Sequence, residues 1–204
     1  MAKNLEKEII DEYKVKKALI ESRLNLFRNL PEDKYFQEFM FCILTPQSNA
    51  RKCWQAVEQL LILKDWNKES ISGVLKTKTR FHNNKASYLL EAENVWNRIK
   101  ERLDEKDKKE IRNFLAENVK GYGLKEASHF LRNIGKSNNE IAILDRHILR
   151  NLKELNVISD DKIKNKKHYF EMEDDFIGFS KKIGIKIDAL DLLFWSRENG
   201  EIFK

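Results

Sequence analysis

The sequence predicts an all-α fold, and three observations support this prediction. The 204 residues include only 2 Pro and 7 Gly, too few for an all-β protein, in which turns recur about every 8 to 12 residues. Apolar residues repeat at spacings of three and four, which is the periodicity of helices. A hydrophobic content of 41% agrees with a globular protein that buries a core.

The amino-terminal half follows this pattern segment by segment. Residues 4–29 predict one long amphipathic helix, and Pro31 suits the first turn of the helix that comes next. The segment 35–44 is nearly all apolar, which predicts a buried central helix. That helix should stop before Pro46, because proline restricts the backbone of the residue that precedes it. Further helices are expected at 49–63, 68–75 and 85–101.

Two polar stretches interrupt these helices. Residues 76–85 are basic and polar and predict a turn. Phe81 lies within this turn, which is an unusual position for an aromatic residue of the core. Residues 104–110 are charged on all sides, which predicts the exposed start of another helix.

The most informative stretch is 111–135. Its apolar residues indicate two helices, the second of which begins at Leu124 and stops at Gly135. Gly121 and Gly123 lie in the short connection between them. Glycines permit positive φ and close approach of the backbone, and the N–H groups at a helix amino terminus attract anions such as a phosphate diester. A Gly-x-Gly connection can also be a plain helix–helix turn, so this pattern alone leaves both interpretations open.

Charge and cysteine content limit the class of protein. The net charge of +6 permits binding to a DNA backbone without requiring it, because a lysine-rich surface is usually a solvated one. Cys42 and Cys53 are the only cysteines, and their apolar helical context predicts buried free thiols rather than a zinc or iron–sulfur site. No apolar run approaches the length of a secretory segment or a membrane span. We therefore expect a soluble cytoplasmic protein.

Two segments carry a family resemblance. Residues 119–127, Val-Lys-Gly-Tyr-Gly-Leu-Lys-Glu-Ala, resemble the helix-hairpin-helix signature of DNA glycosylases of the endonuclease III superfamily, with Lys125 at the position of the Schiff-base lysine of bifunctional members. The apolar run 141–144 ends in Asp145, as in the catalytic loop of that family. The closer similarity, strongest over 120–150, is to archaeal 8-oxoguanine DNA glycosylases of the second type. The iron–sulfur cysteines of endonuclease III itself are absent.

The resemblance implies an enzyme that removes 8-oxoguanine from duplex DNA and then cleaves the strand as an abasic-site lyase. Lys125 would attack C1′ of the nucleotide to form a Schiff base, and β-elimination would follow. Asp145 would stabilise the positive charge that develops at the sugar. Both residues also have ordinary interpretations, since an exposed lysine is common in a first helical turn and an N-cap aspartate contributes about 1 kcal/mol.

The resemblance further implies roles in base extrusion and base recognition. Gln47 would fill the space that the extruded base leaves, while Phe81 would wedge the duplex or stack on that base. Trp195 would line the base pocket, and His147 would contact a phosphate. The main-chain carboxylate of Lys204 would accept hydrogen bonds from the N1–H and N2–H groups of guanine. The ordinary alternatives are a surface glutamine, a core tryptophan, an exposed histidine and a frayed chain end.

We expect two helical lobes with the lesion-binding cleft between them. The central lobe comprises 37–146 and contains the helix-hairpin-helix at about 111–135, and the second lobe combines 1–36 with 147–204. The expected partner is double-stranded DNA that contains oxidised guanine, bound by a monomer. No cofactor or catalytic metal is expected, although the resemblance allows a monovalent cation on the hairpin carbonyls.

Two alternatives remain open. One is a glycosylase for oxidised pyrimidines or an enzyme that acts mainly on abasic sites. The other is a helix-hairpin-helix module that binds DNA without chemistry. The combination of Lys125 with Asp145 weighs against the second alternative, and the predicted role of Lys204 favours the purine substrate.

Overall fold

The computed structural model describes residues 2–204, with side chains from Asn4 onward. The described residues form ten α-helices and one short 3-10 helix at Glu32–Lys34, and contain no strand, so the all-α prediction is confirmed. The helices are α1 (Ala2–Arg28), α2 (Tyr35–Leu44), α3 (Ala50–Leu60), α4 (Lys68–Leu75), α5 (His82–Arg102), α6 (Lys108–Asn118), α7 (Leu124–Asn133), α8 (Arg146–Glu154), α9 (Lys166–Ile183) and α10 (Ile187–Asn199).

The chain forms two compact units. One unit is the continuous segment 30–134, which contains α2 to α7. The other combines 2–29 with 135–204 and contains α1 and α8 to α10. The sequence pattern placed the lobe boundaries at 36/37 and 146/147, and the predicted cleft between two lobes stays a prediction.

In the unit 30–134, the core is built around α2. Phe39 of α2 is fully buried, and its ring lies 5.1 Å from Trp96, 5.0 Å from Tyr122 and 5.4 Å from Phe130 between centroids. The hydroxyl of Tyr122 donates to the carbonyl oxygen of Phe39 at 2.9 Å. Burial raises the pKa of Tyr122 well above its usual range, so this hydroxyl stays protonated and keeps its role as a donor. The hairpin before α7 is thus fastened to the central helix.

In the other unit, α1 packs along α10, and α10 also contacts α8 and α9. Ile9 and Ile20 of α1 are fully buried, and the rings of Phe176 and Phe194 stack with centroids 6.0 Å apart. Arg197 of α10 pairs at the surface with two carboxylates of α1, those of Glu8 and Glu12. The apolar stripe that predicted a long first helix is therefore the face that α1 buries.

The sequence predicted α2 and α4 with the bounds that the structure has, and both free thiols are buried as expected. Helix α5 begins at His82 rather than at residue 85, because Phe81 adopts a left-handed conformation and its carbonyl accepts from the N–H of Lys85. Pro31 precedes the 3-10 helix instead of entering the next α-helix.

The charged stretch 104–110 is less exposed than predicted. Asp107 caps α6 by accepting from the N–H of Glu110 at 2.9 Å, so the helix begins at Lys108. Lys108 is buried, because its ammonium donates back to the carbonyl oxygen of Glu105. No helix in the described part of the chain is both long enough and apolar enough to span a membrane.

Gly135, which ends α7 as predicted, is required for two separate reasons. Its φ is +68°, and a Cβ built on it would lie 2.5 Å from the Cα of Arg28. We expect Gly135→Ala to lower the free energy of unfolding by about 3 kcal/mol, the sum of left-handed strain and a clash with backbone. Gly184→Ala is the matched control, because Gly184 has φ +70° and no atom within 4 Å of such a Cβ. It should cost only about 1 kcal/mol, and equal losses in urea unfolding would contradict the role of the Arg28 contact.

Candidate DNA-binding hairpin, nucleophile and base-recognition residues

The predicted hairpin connects α6 and α7 through Gly121 and Gly123. Gly121 has φ +90°, and a Cβ on it would lie 2.6 Å from Cδ2 of Tyr88 on α5. The backbone therefore lies directly on the Tyr88 ring, which explains why this position needs a glycine. Gly123 is exposed and stands at the amino terminus of α7. The turn thus leaves the first N–H groups of α7 at a surface, the arrangement that suits an anion.

Lys125 lies in the first turn of α7, directly after this hairpin. Its ammonium is paired with Oε1 of Glu126 at 2.7 Å, and 29% of the Lys125 side chain is exposed. The other carboxylate oxygen of Glu126 accepts from the N–H of Gly123 at 3.1 Å. Glycine has no side chain, so only the glutamate half of a capping box is present. The nucleophile candidate is therefore accessible, and its ion pair must open before the amine can attack.

Sequence reasoning did not assign a role to Glu126. Its position three residues after the N-cap is the usual place for a glutamate that accepts from the N-cap N–H, so the signal was present. What the pattern does not reveal is that the same carboxylate also holds Lys125.

Gln47 and Phe81 share an unusual backbone conformation in the same unit. Gln47 has φ +53° and Phe81 has φ +57°, although neither is a glycine. Both side chains are exposed, Phe81 by 50%. The guanidinium of Arg80 lies 5.4 Å from the Phe81 ring centroid. Strained backbone that presents exposed side chains is typical of sites that contact a ligand.

Asp145 begins α8 in the other unit, at the end of the loop 135–145. Its Oδ1 accepts from the N–H groups of His147 at 2.8 Å and Ile148 at 2.9 Å. Asp145 is therefore an N-cap, as the ordinary interpretation held. Because both hydrogen bonds end on Oδ1, no hydrogen bond among the described residues uses Oδ2, and this oxygen is available to a ligand. The capping hydrogen bonds therefore orient the carboxylate and leave one of its two oxygens for a ligand.

The loop that carries Asp145 is held from α9 by two buried side chains. Glu173, fully buried, accepts from the N–H of Ala142 at 2.7 Å. The hydroxyl of Tyr169 donates to the carbonyl oxygen of the same alanine at 2.8 Å. Both backbone polar groups of Ala142 are thus fixed, three residues before Asp145. Sequence reasoning missed this pair, although Glu173 shares one helical face with the apolar residues Tyr169, four positions before it, and Phe176, three positions after it.

The remaining predicted residues of this unit lie on or near α8 and α10. His147 has its Nδ1 3.5 Å from Oε2 of Glu198. Trp195 is half-buried, and its ring lies 6.3 Å from that of Phe203 between centroids. Lys204 is buried, at 8% exposure, rather than frayed. Trp195 is therefore adjacent to the segment that contains Lys204.

The structure distributes the predicted residues over the two units. Gln47, Phe81, Gly121, Gly123 and Lys125 belong to 30–134, and the other four belong to the second unit: Asp145, His147, Trp195 and Lys204. The described residues contain no group of three His, Cys, Asp or Glu side chains that could hold a metal ion.

These features define a helix-hairpin-helix protein with an amine in the first turn of its second hairpin helix. The family model of 8-oxoguanine DNA glycosylase matches residues 17–185. A protein of Fusobacterium nucleatum named 8-oxoguanine DNA glycosylase/AP lyase is 39% identical, over 97% of this chain and 96% of that protein. The chain belongs to the 8-oxoguanine DNA glycosylase family.

Two solved structures support this assignment. The 8-oxoguanine DNA glycosylase of Thermotoga maritima aligns with a TM-score of 0.89 and 29% identity, over the full length of both chains. The 8-oxoguanine glycosylase/lyase of Methanocaldococcus jannaschii, in complex with a 15mer DNA that contains 8-oxoguanine, aligns with a TM-score of 0.85. It is 31% identical and covers 97% of this chain and 100% of its own.

The contact between Glu173 and the Asp145 loop makes a stability prediction. Glu173→Ala leaves the N–H of Ala142 without its acceptor in a buried place, so the free energy of unfolding should fall by about 2 kcal/mol. Glu171→Ala on the same helix is the control, because that side chain is 58% exposed and its ion pair with Lys167 is long at 3.8 Å. It should change stability by less than about 0.5 kcal/mol. Equal chemical-denaturation curves for the two variants would show that the buried contact is unimportant.

Proposed function

We propose that this protein excises 8-oxoguanine from duplex DNA and then cleaves the strand at the resulting abasic site, with Lys125 as nucleophile. The observation that carries this proposal is the partly exposed, Glu126-paired amine of Lys125 in the first turn of α7, directly after a backbone turn suited to a phosphate. The names of the relatives and the DNA-bound structure of one of them support the substrate.

The chemistry begins with the opening of the Lys125–Glu126 ion pair. As the pair opens, the ammonium of Lys125 loses a proton to the Glu126 carboxylate. The neutral Nζ then attacks C1′, the C1′–N9 bond breaks, and its electron pair leaves with the base, which takes up one amine proton. The sugar ring opens, O4′ takes up the second amine proton, and an imine forms between Nζ and C1′. This imine acidifies the C2′ hydrogens, so that loss of one of them expels the 3′ phosphate by β-elimination. Water then hydrolyses the imine and releases the enzyme.

Asp145 is proposed to stabilise the positive charge that develops on the sugar as the base leaves. A carboxylate that is already oriented by two N–H groups needs little reorganisation during the reaction. Oδ2 is the oxygen that would face the sugar, since Oδ1 is engaged in the cap. The hydrogen bonds of Glu173 and Tyr169 to the backbone of Ala142 keep the loop in place while this charge appears.

The remaining residues are proposed to bind and distort DNA. The N–H groups of Gly121 and of the start of α7 would bind one phosphate, and that of Gly123 would join them once the Glu126 carboxylate that it contacts moves away. His147 would bind another phosphate. Gln47 would occupy the gap in the stack, and Phe81 would wedge the duplex or contact the extruded base. The exposure and the strained backbones of Gln47 and Phe81 support the last two roles.

Trp195 and the segment that ends at Lys204 are proposed to form the pocket for the extruded base. Trp195 would stack on the base, and a main-chain oxygen of Lys204 would accept from its N1–H and N2–H groups. The proximity of Trp195 to Phe203, and the burial of Phe203 and Lys204, support this assignment.

The chemistry proposed here uses no cofactor. A monovalent cation would be held by carbonyl oxygens of the hairpin and would help to bind a phosphate by its charge. The described hydrogen bonds leave the carbonyls of Lys120 and Gly121 without a donor, so these oxygens fit such an ion. We further propose that the enzyme acts as a monomer on double-stranded DNA in the cytoplasm.

The first test is borohydride trapping on duplex DNA that contains one 8-oxoguanine. The wild-type protein should form a covalent adduct, and Lys125→Gln should form none because the amine is gone. Lys120→Gln is the matched control, since Lys120 lies in the same hairpin, is exposed and pairs with Glu91. It should still form the adduct at saturating protein.

The outcomes of trapping separate the alternatives. An adduct on an abasic site but not on 8-oxoguanine DNA would retain Lys125 as nucleophile and overturn the substrate. An adduct that survives Lys125→Gln would assign the chemistry to another amine. The lack of an adduct on both DNAs would favour the other alternative, a helix-hairpin-helix module that binds DNA without catalysing a reaction.

Two substitutions of Asp145 separate capping from catalysis. Asn keeps an oxygen that accepts from the N–H groups of α8, so Asp145→Asn should change the free energy of unfolding by less than about 0.5 kcal/mol. It should nevertheless slow single-turnover base excision by about 100-fold, because the negative charge is lost. Asp145→Ala should in addition destabilise the protein by about 1 kcal/mol. Base excision by Asp145→Asn at the wild-type rate would reduce Asp145 to a cap.

A further inference from the structure

Lys85 is a buried lysine that the proposed mechanism does not use. It lies in the first turn of α5 and is 4% exposed. Its Nζ donates to the carbonyl oxygen of Leu44 at 2.7 Å, to that of Pro46 at 2.9 Å and to Oγ of Ser48 at 2.9 Å. An ammonium has three protons, so every donor of Lys85 is used, and all three acceptors are uncharged.

The place of Lys85 explains how its charge is tolerated inside the protein. Leu44 is the last residue of α2, and the carbonyl end of a helix carries partial negative charge. The same carbonyl also accepts from Sγ of Cys53 at 3.2 Å. Burial lowers the pKa of Lys85 to about 8, with Cys53 opposing and Lys125 and Arg80 adding to this change. The ammonium is therefore the main form at neutral pH.

The acceptors of Lys85 surround Gln47 in the chain. Pro46 and Ser48 are its two neighbours, so the ammonium binds the turn immediately before and immediately after the residue with φ +53°. A left-handed conformation costs a non-glycine residue about 1 kcal/mol or more. The hydrogen bonds to Lys85 oppose relaxation of this turn, so that Gln47 stays exposed.

Ser48 extends the same contact to Phe81. Its Oγ accepts from Lys85 and also from the N–H of Arg80 at 2.9 Å. Arg80 precedes Phe81, the second exposed residue with left-handed backbone. One ammonium and one hydroxyl thus join the two turns that present Gln47 and Phe81.

We propose that Lys85 is a positioning residue for DNA distortion, whose ammonium fixes the turn of Gln47 directly and that of Phe81 through Ser48. Both side chains are then preformed to enter the duplex when the lesion base leaves the stack, so less ordering is required on binding. This inference rests on the proposed function. Lys85 does not itself touch DNA, because it is buried and its donors are all engaged.

The test compares Lys85→Met with Lys100→Met, which removes an exposed lysine from the same helix. The probe is a duplex with a stable abasic analogue and 2-aminopurine opposite it, whose fluorescence reports insertion of a side chain into the gap. Wild-type protein and Lys100→Met should change the fluorescence equally, and Lys85→Met should lose most of that change. Lys85→Met should slow base excision from duplex 8-oxoguanine at least about 10-fold, which corresponds to about 1.4 kcal/mol of activation free energy.

Borohydride trapping on a single-stranded abasic oligonucleotide supplies the contrast, because that substrate has no stack to fill. Here Lys85→Met should remain within about 2-fold of wild type. An equal loss on duplex and single strand would mean that Lys85 is merely structural and would overturn the proposal. Fluorescence of Lys85→Met that matches Lys100→Met would overturn it as well.

A second variant guards against misfolding. Ser48→Ala removes the hydroxyl that joins the two turns while leaving the ammonium its two carbonyl acceptors. It should reduce the fluorescence change in the same direction, and wild-type behaviour of Ser48→Ala would contradict the link to Phe81. Wild-type protein that traps on abasic DNA but leaves 2-aminopurine unchanged would overturn only the role of Lys85. Failure of wild-type trapping would instead overturn the proposed function.

Discussion

The burial of α2 is the constraint on which the predicted DNA-contacting segments of residues 30–134 depend. Eight of its ten residues are buried, so the helix cannot shift without opening the core of this unit. Near its middle, Phe39 fastens the hairpin through the ring and the hydroxyl of Tyr122. At its end, the carbonyl of Leu44 receives the ammonium of Lys85, which holds the turn of Gln47. The hairpin and the Gln47 turn therefore take their positions from one apolar helix.

Two sets of buried polar groups in this protein fix the backbone next to predicted site residues. Glu173 and Tyr169 hold the N–H and the carbonyl oxygen of Ala142 in the loop before Asp145, and Lys85 holds carbonyl oxygens at and just after the end of a helix. A buried polar group is costly unless it is hydrogen-bonded, and these side chains have backbone partners in loops, where no regular secondary structure pairs the backbone groups. These hydrogen bonds make the loops rigid, and a functional site that is built from loops requires such rigidity.

The capping and catalytic interpretations of a residue do not exclude each other here. Asp145 accepts two N–H groups through Oδ1 and still offers Oδ2. Glu126 accepts from Gly123 through one oxygen and pairs with Lys125 through the other. Because a carboxylate has two oxygens, the start of a helix can orient a charged group and leave it chemically available. Helix termini are for this reason suitable places for both members of the proposed catalytic pair.

The helices, the hairpin and the family can be predicted from the amino-acid sequence, because periodicity, glycine spacing and motif identity are local properties of the chain. Helices α2 and α4 have the predicted bounds, and Gly135 ends α7 as its position indicated. The burial of Lys85 beneath the Gln47 turn and the contact of Glu173 with the loop of Asp145 become visible only once the helices are packed. Such contacts join residues about 30 to 40 positions apart, and they depend on which backbone groups the packed helices leave without partners. A pattern of single residues does not encode that information.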